Sequence, residues 1–238
     1  MWRALTAAGV VAAIVVASGH AHPQPGTGPR AFPSPIVAYA SGSHVFVYGS
    51  EGSRHVQRAL PSPTDDGAVL SFLVRSLHAR RALVYLPTRP NGSTGWIPRS
   101  QVRVYAEPYR VKLDLRRHTL TVRRLGSTIV RASVGVGRAV TPTPPGTYYI
   151  VSRIRPLEPR SVYGAFAFGL SAHSKVFARF GFGGDGRIGL HGTNDPTGVG
   201  HDVSHGCIRT TNRVILRLAR LLPLGTPVDI ARTDPLRR

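Results

Sequence analysis

The sequence predicts a mainly β protein whose C-terminal half combines a mixed sheet with a single helix. Two observations predict this class: short apolar segments alternate with turn residues along most of the chain, and only one segment has the apolar period of a helix. The 26 glycines and 20 prolines among the 238 residues favour turns. A hydrophobic fraction of 42% is enough for a globular core and excludes an intrinsically disordered chain.

The N-terminal segment, residues 1–21, has the pattern of a secretory signal peptide. A basic residue precedes an apolar run over residues 4–17, and small residues stand at positions 19 and 21. The run is shorter than the roughly 20 residues that span a bilayer, so we expect cleavage, with an uncleaved N-terminal anchor as the alternative. No nearby cysteine could carry a lipid, which excludes a lipoprotein. Residues 22–35 are rich in proline and glycine and predict a linker.

Residues 36–108 predict a small β module. Turn residues separate its apolar segments, and Gly95-Trp96-Ile97-Pro98 followed by Val102 resembles the closing strands of a bacterial SH3-like barrel. Such a module either binds the cell wall or serves as a spacer, and the sequence leaves both open. The strands expected here cover residues 45–48, 68–74 and 82–86.

Residues 109–231 predict a second β domain, followed by a tail over residues 232–238. Apolar and polar residues alternate around a turn at residues 116–118, as expected for half-buried strands. The run Thr141-Pro142-Thr143-Pro144-Pro145-Gly146 predicts a rigid turn. The strands expected here cover residues 111–115, 119–122, 129–136, 147–151 and 227–230.

Residues 211–222 form the one convincing helical pattern. Thr211 or Asn212 can cap its start, and Pro223 with Gly225 ends it. Apolar residues occupy one face of this helix and arginines the other. The apolar positions are Val214, Ile215, Leu218, Leu221 and Leu222, and the basic positions are Arg213, Arg217 and Arg220.

The chain is strongly basic, with a formal net charge of +20. All but two of its 31 basic residues are arginine. This charge favours an anionic partner, such as a membrane surface or an acidic cell-wall polymer, although a compositional bias towards arginine explains it equally well. The arginines are scattered and follow no nucleic-acid-binding motif, so we expect no nucleic-acid partner.

The only cysteine, Cys207, lies in the run Ser204-His205-Gly206-Cys207-Ile208-Arg209. A single cysteine cannot form an intramolecular disulfide. An earlier run, Ile188-Gly189-Leu190-His191-Gly192-Thr193-Asn194, supplies a histidine at the end of an apolar segment. A thiol near an imidazole or a positive charge is the arrangement that a thiolate nucleophile needs. The two runs therefore predict a cysteine nucleophile with a histidine base.

These two runs together resemble the L,D-transpeptidases of bacterial cell-wall synthesis. The turn at residues 141–146 and the run Gly225-Thr226-Pro227-Val228 are also similar to that family, and the resemblance covers roughly residues 109–231. It implies an L,D-transpeptidase-type β-sandwich or mixed-sheet catalytic domain, in which Cys207 holds the acyl group as a thioester. It also implies that His191 is the base and that the Gly192 carbonyl orients its ring.

Further roles within the nucleophile run are open. His205 would share a face with Cys207 in an extended segment, which makes it an alternative base or a pocket-shaping residue. The backbone N–H groups of Gly206 and Cys207 are expected to hold the oxyanion. Ser204 either forms the turn or bonds the site histidines. Arg209 either holds a substrate carboxylate or pairs with Asp202.

Three residues outside that run are candidate substrate contacts. Tyr163 and His173 fall in a region that lines the donor pocket in the family, although packing in the core or a lid explains them equally well. Asn194 opens the loop that joins the two motifs and is the third candidate. His201 and Asp202, later in that loop, are expected to be solvated.

We expect no metal or organic cofactor. A zinc site built from His191, His201, His205 and Cys207 is the alternative, but the spacing fits no standard zinc pattern. The resemblance implies an exported enzyme that joins a donor tetrapeptide stem to the amine of a second stem and is acylated by carbapenems. An L,D-carboxypeptidase with water as acceptor and a non-catalytic wall-binding protein are the other function classes.

Overall fold

The structure is a computed structural model that describes residues 34–158, 161–179 and 184–232. The predicted signal peptide, most of the predicted linker and all but the first residue of the predicted tail lie outside the described residues. No helix within the described ranges is both long enough and apolar enough to cross a membrane.

Residues 36–106 form a seven-stranded antiparallel sheet with the strand order β3-β2-β6-β5-β4-β1-β7. Its core contains Phe72 and Ile97, both fully buried. The strand expected to begin at residue 68 begins at Ser71, because the carbonyl of Ala68 accepts from Thr64 N and closes the preceding turn. The strands are β1 Ile36–Ala40, β2 His44–Tyr48, β3 Val56–Pro61, β4 Ser71–Leu77, β5 Arg81–Tyr85, β6 Thr94–Pro98 and β7 Val102–Ala106.

The C-terminal half contains an eight-stranded sheet with the order β10-β9-β8-β17-β12-β13-β14-β16. It is mixed, because β17 runs parallel to β8 and β14 runs parallel to β16. The small strands β11 and β15 pair separately. The predicted fold class, mainly β with a mixed sheet and one helix in the described residues, is confirmed. The elements are β8 Tyr109–Asp114, β9 Thr119–Arg124, β10 Ser127–Ser133, β11 Val136–Gly137, β12 Gly146–Ile154, β13 Ala167–His173, β14 Arg187–His191, β15 Asp202–Ser204, β16 Ile208–Arg209, α1 Asn212–Leu221 and β17 Pro227–Ala231.

Helix α1 packs its apolar face on the mixed sheet. Thr211 caps the helix through its side chain, which accepts from Val214 N, and Ile215 and Leu218 are fully buried in the core that Phe168 and Leu170 also occupy. The arginines of the opposite face are exposed. The predicted helix is therefore confirmed to within one residue at each end.

The strand expected over residues 129–136 is interrupted. Strand β10 ends at Ser133, and Gly135 then exchanges two backbone hydrogen bonds of 2.8 Å with Arg209. A side chain at Gly135 would collide with the carbonyl of Gly198, so only glycine fits this close approach. The interruption carries the chain from the sheet edge to the segment that holds Cys207.

The two sheets contact each other directly. Tyr149, fully buried on β12, donates its hydroxyl to the Tyr85 carbonyl of the N-terminal sheet over 2.9 Å. Tyr39 on β1 donates to the Leu224 carbonyl over 2.6 Å. These partly buried hydrogen bonds join the β1–β7 sheet to the mixed sheet that carries the candidate site.

Candidate active site

The parallel pairing of β14 with β16 brings the two sequence motifs together. Leu190 lies opposite Ile208, and His191 lies opposite Arg209. Cys207 directly precedes β16, and its sulfur accepts a hydrogen bond from Gly189 N at 3.3 Å. The thiol therefore sits beside the strand that ends in the histidine.

Gly189 separates the thiol from the histidine ring. A Cβ atom at this position would lie 3.5 Å from His191 Cδ2 and 3.8 Å from Cys207 Sγ. Both groups thus border the same small space, which the missing side chain leaves open. Gly189 was not among the predicted site residues, although a glycine inside a strand is a known sign of close approach by a ligand or another backbone.

His191 is held as a neutral base. Its ring is almost fully buried, with 2% of the residue exposed, and Nδ1 donates to the Gly192 carbonyl over 2.6 Å. The pKa of His191 is lowered to about 4, mainly by burial; the hydrogen bond to the Gly192 carbonyl acts in the opposite direction, and the Arg209 charge adds a smaller lowering effect. Because Nδ1 carries the proton, Nε2 is the atom that can accept another.

Cys207 is held as a neutral thiol. Burial raises its pKa above the ordinary range, while the Gly189 N–H and the Arg209 charge act in the opposite direction. The Arg209 charge thus acts in the expected direction, but burial outweighs it, so the pKa of Cys207 is raised in the resting site. The thiol must lose its proton as it attacks.

Ser204 shapes the turn at residues 204–207 that carries Cys207, here called the nucleophile turn. It is completely buried, its hydroxyl donates to the Cys207 carbonyl over 2.6 Å, and it accepts from Gly206 N at 3.0 Å. It forms the turn and has no hydrogen bond to a site histidine among the described residues. Because Gly206 N–H is already used, Cys207 N–H is the remaining candidate of the two expected oxyanion donors.

Two threonines of the turn at residues 141–146 donate hydrogen bonds to backbone carbonyls of the nucleophile turn. Thr141 Oγ1 donates to the Ser204 carbonyl over 3.0 Å, and Thr143 Oγ1 donates to the Gly206 carbonyl over 2.8 Å. Both threonines are buried. The local sequence predicts a turn here but not these contacts, since nothing local indicates partners 63 residues away.

His205 points away from the face that it was expected to share with Cys207. The backbone of Gly206 has φ of +120°, so the segment is not extended there. His205 is exposed, and its ring lies 5.9 Å from that of Phe177 in an edge-on contact. The conformation of Gly206 thus favours His191 over His205 as the base.

Tyr163 borders the same space as the thiol and the histidine. Its ring centroid lies 5.0 Å from that of His191 in an edge-on arrangement. Burial raises the pKa of Tyr163, a negative charge on Cys207 raises it further, and Arg209 lowers it. Of the three expected substrate contacts outside the nucleophile run, Tyr163 is the one with a ring contact to a catalytic candidate.

Asn212 links the loops on either side of the site. Its Oδ1 atom accepts from Ala165 N at 2.9 Å and from Thr193 N at 3.3 Å. One amide at the start of α1 therefore ties the loop of Tyr163 to the loop that follows His191. The sequence indicated Asn212 only as a possible helix cap, a role that Thr211 fills.

Arg209 does not pair with Asp202. Asp202 instead contacts His118 Nε2 at 2.8 Å, so it is not the purely solvated loop residue that we expected. Arg209 is half-buried, and its Nε atom is buried without a hydrogen-bond partner among the described residues. The Arg209 charge nevertheless acts on both Cys207 and His191.

His173 and Asn194 occupy different surroundings. His173 is 3% exposed, and its Nε2 contacts Asp185 at 2.9 Å. That hydrogen bond and the charges of Arg187 and His173 hold the pKa of Asp185 well below its usual range, against the effect of burial. Asn194 lies exposed in the loop between the motifs. The His173 ring therefore lies inside the protein, whereas Asn194 lies at the surface.

The histidines proposed for zinc do not converge. His201 and His205 are exposed, whereas His191 is buried. Within the described part of the chain, no three His, Cys, Asp or Glu side chains form a group that could hold a metal ion. The site instead offers one thiol, one neutral imidazole and one half-buried guanidinium, the groups needed for acyl transfer through a thioester.

Known proteins are similar in sequence to the part of the chain that holds this site. The family model for the YkuD L,D-transpeptidase catalytic domain matches residues 108–230. The Bacillus subtilis protein provisionally named L,D-transpeptidase YkuD is 34% identical over 128 residues, which cover 54% of this chain and 69% of that protein. Its namesake in Bacillus licheniformis is 36% identical over 123 residues, which cover 52% and 66%.

Solved structures are also similar over part of the chain. Bd1075 of Bdellovibrio bacteriovorus is 30% identical, with a TM-score of 0.42 over 53% of this chain and 48% of that one. The match thus spans about half the length of Bd1075. An L,D-transpeptidase of Mycobacterium tuberculosis is 17% identical, with a TM-score of 0.43 over 64% of this chain and 91% of that one.

Proposed function

Because this chain belongs to the YkuD family of L,D-transpeptidase catalytic domains, we propose that it is a cysteine acyltransferase that cross-links peptidoglycan stem peptides. The observation that carries the proposal is the shared space at Gly189, which the Cys207 thiol and the His191 ring both border. A peptide carbonyl in that space would meet the nucleophile and its base together.

In the first half of the reaction, His191 Nε2 accepts the thiol proton as Cys207 Sγ attacks the carbonyl that precedes the terminal D-alanine of a tetrapeptide stem. The Cys207 N–H stabilises the oxyanion. The carbon–nitrogen bond then breaks, D-alanine leaves with the proton from His191, and a thioester remains on Cys207.

In the second half, the side-chain amine of another stem attacks the thioester and gives its proton to His191. The sulfur leaves and regains a proton, and the new amide joins the third residues of the two stems. Because burial favours the neutral thiol and the neutral imidazole, the proton transfer is coupled to the attack in both halves.

Arg209 and Tyr163 are the substrate-positioning candidates closest to this chemistry. The Arg209 charge acts on both Cys207 and His191, which supports a role for its guanidinium in holding a substrate carboxylate beside them. The edge-on contact of Tyr163 with His191 supports a role in orienting the base and covering the acyl group. His205 and Asn194 would lie further out.

Peptidoglycan lies outside the cytoplasmic membrane, so the proposed activity requires export, for which residues 1–21 supply a signal sequence. We propose that residues 36–108 are an SH3-like module and residues 109–231 the catalytic domain. The enzyme would then work in the periplasm or cell wall and be a carbapenem target.

A groove of about 490 Å³ between α1 and β10 supports contact with an anionic wall polymer. Four arginines line it, none of which forms an ion pair with a carboxylate among the described residues; they are Arg131, Arg213, Arg217 and Arg220. The change R213Q/R217Q/R220Q should weaken sedimentation with isolated cell walls more than R54Q/R58Q/R75Q, which removes the same charge elsewhere. Equal losses of sedimentation in the two triple variants would mean that wall binding depends on the net charge and not on this groove.

The proposed reaction is tested with purified disaccharide-tetrapeptide and mass spectrometry of the products. Cross-linked dimers that lack one D-alanine are expected, and Cys207→Ala should give none. Tripeptide without dimers, even with excess amine acceptor, would establish the L,D-carboxypeptidase instead. Neither product from folded protein, together with unchanged wall binding by Cys207→Ala, would establish a non-catalytic wall-binding protein.

A further inference from the structure

The loop between β5 and β6 of the N-terminal sheet holds the connection between β13 and β14 of the mixed sheet. Arg89 Nη1 donates to the Ser174 carbonyl over 2.7 Å, and Nη2 donates to the carbonyls of Phe177 and Asp185 over 2.8 and 3.1 Å. One guanidinium therefore binds backbone on both described sides of this connection, in residues 174–179 and 184–186.

Asn91 in the same loop fixes the end of β13. Its Nδ2 donates to the His173 carbonyl over 2.8 Å, and its Oδ1 accepts from His173 N at 2.8 Å. The side-chain amide thus replaces a neighbouring strand at this residue. Asn91 also hydrogen-bonds the Tyr148 hydroxyl, which belongs to β12. The β5–β6 loop therefore contacts β12, the end of β13 and the connection that follows β13.

The held connection leads directly into the candidate active site. Phe177 makes the ring contact with His205, which lies in the nucleophile turn two residues before Cys207. Asp185 bonds the His173 ring, and strand β14 begins at Arg187 and ends at His191. Gly186 approaches Arg89 so closely that a side chain at this position would collide with the guanidinium and with the Phe177 carbonyl.

The described parts of this connection are held both by hydrogen bonds of their own and by hydrogen bonds from the N-terminal sheet. In the described ranges, the carbonyls of Phe177 and Asp185 accept from Arg89, and Ser174 N reaches the Gly186 carbonyl over 2.8 Å. A charged guanidinium that binds several carbonyls is a rigid anchor, because its donors have fixed geometry. Loss of Arg89 or Asn91 would therefore shift the described parts of this connection. The parallel pairing of β14 with β16, which places His191 near Cys207, would stay in place.

We propose that Arg89 and Asn91 are positioning residues, through which the N-terminal sheet holds the described parts of the connection, residues 174–179 and 184–186, beside the nucleophile turn and so shapes the acyl-donor cleft. The proposal rests on the proposed function, because it assigns a role in donor binding. It gives the residue 36–108 module a task in catalysis that is separate from wall binding or spacing.

The test compares Asn91→Ala and Arg89→Gln with Arg81→Gln in the full chain. Arg81 is the matched control, since its guanidinium also donates to backbone carbonyls. Its acceptors are Ser50 and Ser53, which belong to the N-terminal sheet region itself. Two rates are measured at Cys207 for each protein: acylation by a carbapenem, which must fit the cleft, and alkylation by iodoacetamide, which needs only a reactive thiol.

We expect Asn91→Ala and Arg89→Gln to lower the second-order rate constant of acylation by about ten-fold or more, because small shifts of a positioned substrate are costly. Their iodoacetamide rates should stay within about two-fold of wild type, and Arg81→Gln should change neither rate by more than that. Asn91→Asp keeps the acceptor for His173 N but loses the donor, so it should give an intermediate loss and serves if Asn91→Ala does not fold.

Wild-type acylation rates in folded Asn91 and Arg89 variants would overturn the proposal. So would an equal fall of both rates, because the loop would then act on the thiol or on the whole fold. If wild type itself reacts with iodoacetamide but not with the carbapenem, the proposed function fails instead. The two failures are therefore distinguishable in one experiment.

Discussion

Gly189 donates its backbone N–H to the Cys207 sulfur over 3.3 Å, and its missing side chain leaves open the space beside that sulfur. The His191 ring borders the same space from the same strand. The nucleophile is thus placed by a backbone contact between two strand segments, while the base is placed by burial and by the Gly192 carbonyl.

Gly189→Ala should slow acylation of Cys207 by about ten-fold or more without unfolding the protein. The added Cβ makes ordinary contacts of 3.5 and 3.8 Å with the two catalytic candidates, so it fits, but it fills the space that a substrate carbonyl needs. Carbapenem acylation followed by intact mass checks this. Gly42→Ala is the control, because nothing lies within 4 Å of a Cβ at that position. Equal rates for all three proteins would contradict the placement of the substrate.

His191→Gln should abolish acylation, whereas His205→Gln should retain most of it. A positioned general base contributes about 10² to 10⁴ in rate, and the positive φ of Gly206 turns His205 towards Phe177. The two variants are compared under identical conditions, with melting temperatures as a check on folding. A larger loss for His205→Gln than for His191→Gln would reverse the assignment of the base.

Stability should fall between neutral pH and pH 4 partly because of His191. The pKa of His191 is about 4 in the folded state, below that of an unfolded histidine. The unfolded state therefore takes up the proton first as the pH falls. The contribution of His191 to the free energy of unfolding, about 3 kcal/mol, is present above about pH 6.5 and is lost towards pH 4.

Denaturant unfolding of wild type and His191→Gln at pH 7 and pH 4.5 measures this contribution. The variant should show a weaker dependence on pH, because all other titrating groups are common to both proteins. The same pH dependence in both proteins would mean that the His191 ring is not held neutral by burial.

Asn212→Ala should cost about 1–3 kcal/mol of stability, because two partly buried backbone N–H groups lose their acceptor. It should also slow acylation, since the loops of Tyr163 and His191 are no longer joined. Thr211→Ala is the control, because it removes only the helix cap, at a cost of about 1 kcal/mol. Asn212→Asp keeps the acceptor oxygen and should restore much of the rate. Equal acylation rates in the Asn212→Ala and Thr211→Ala proteins would remove the positioning role.

Local patterns predicted the elements whose causes are local. The α1 helix follows from its apolar period and its threonine cap, and most strands follow from alternation between turns. The motifs around His191 and Cys207 were also recognisable, because each is a short run of adjacent residues. The parallel pairing of β14 with β16 then brings the two runs together.

Other features depend on contacts between distant residues. Thr141 and Thr143 bind carbonyls 63 residues away, and Arg89 binds carbonyls in another sheet, so no local pattern predicts either. The direction of His205 depends on the backbone conformation of Gly206. The raised pKa of Cys207 depends on burial, which only the folded chain produces.

The role of Cys207 as nucleophile is tested by the intact mass of the protein, lacking its first 35 residues, after incubation with a carbapenem. We expect one covalent adduct on each wild-type chain and none on Cys207→Ala. An adduct on Cys207→Ala, or none on a folded wild-type protein, would contradict the assignment of Cys207 as the acyl-accepting nucleophile.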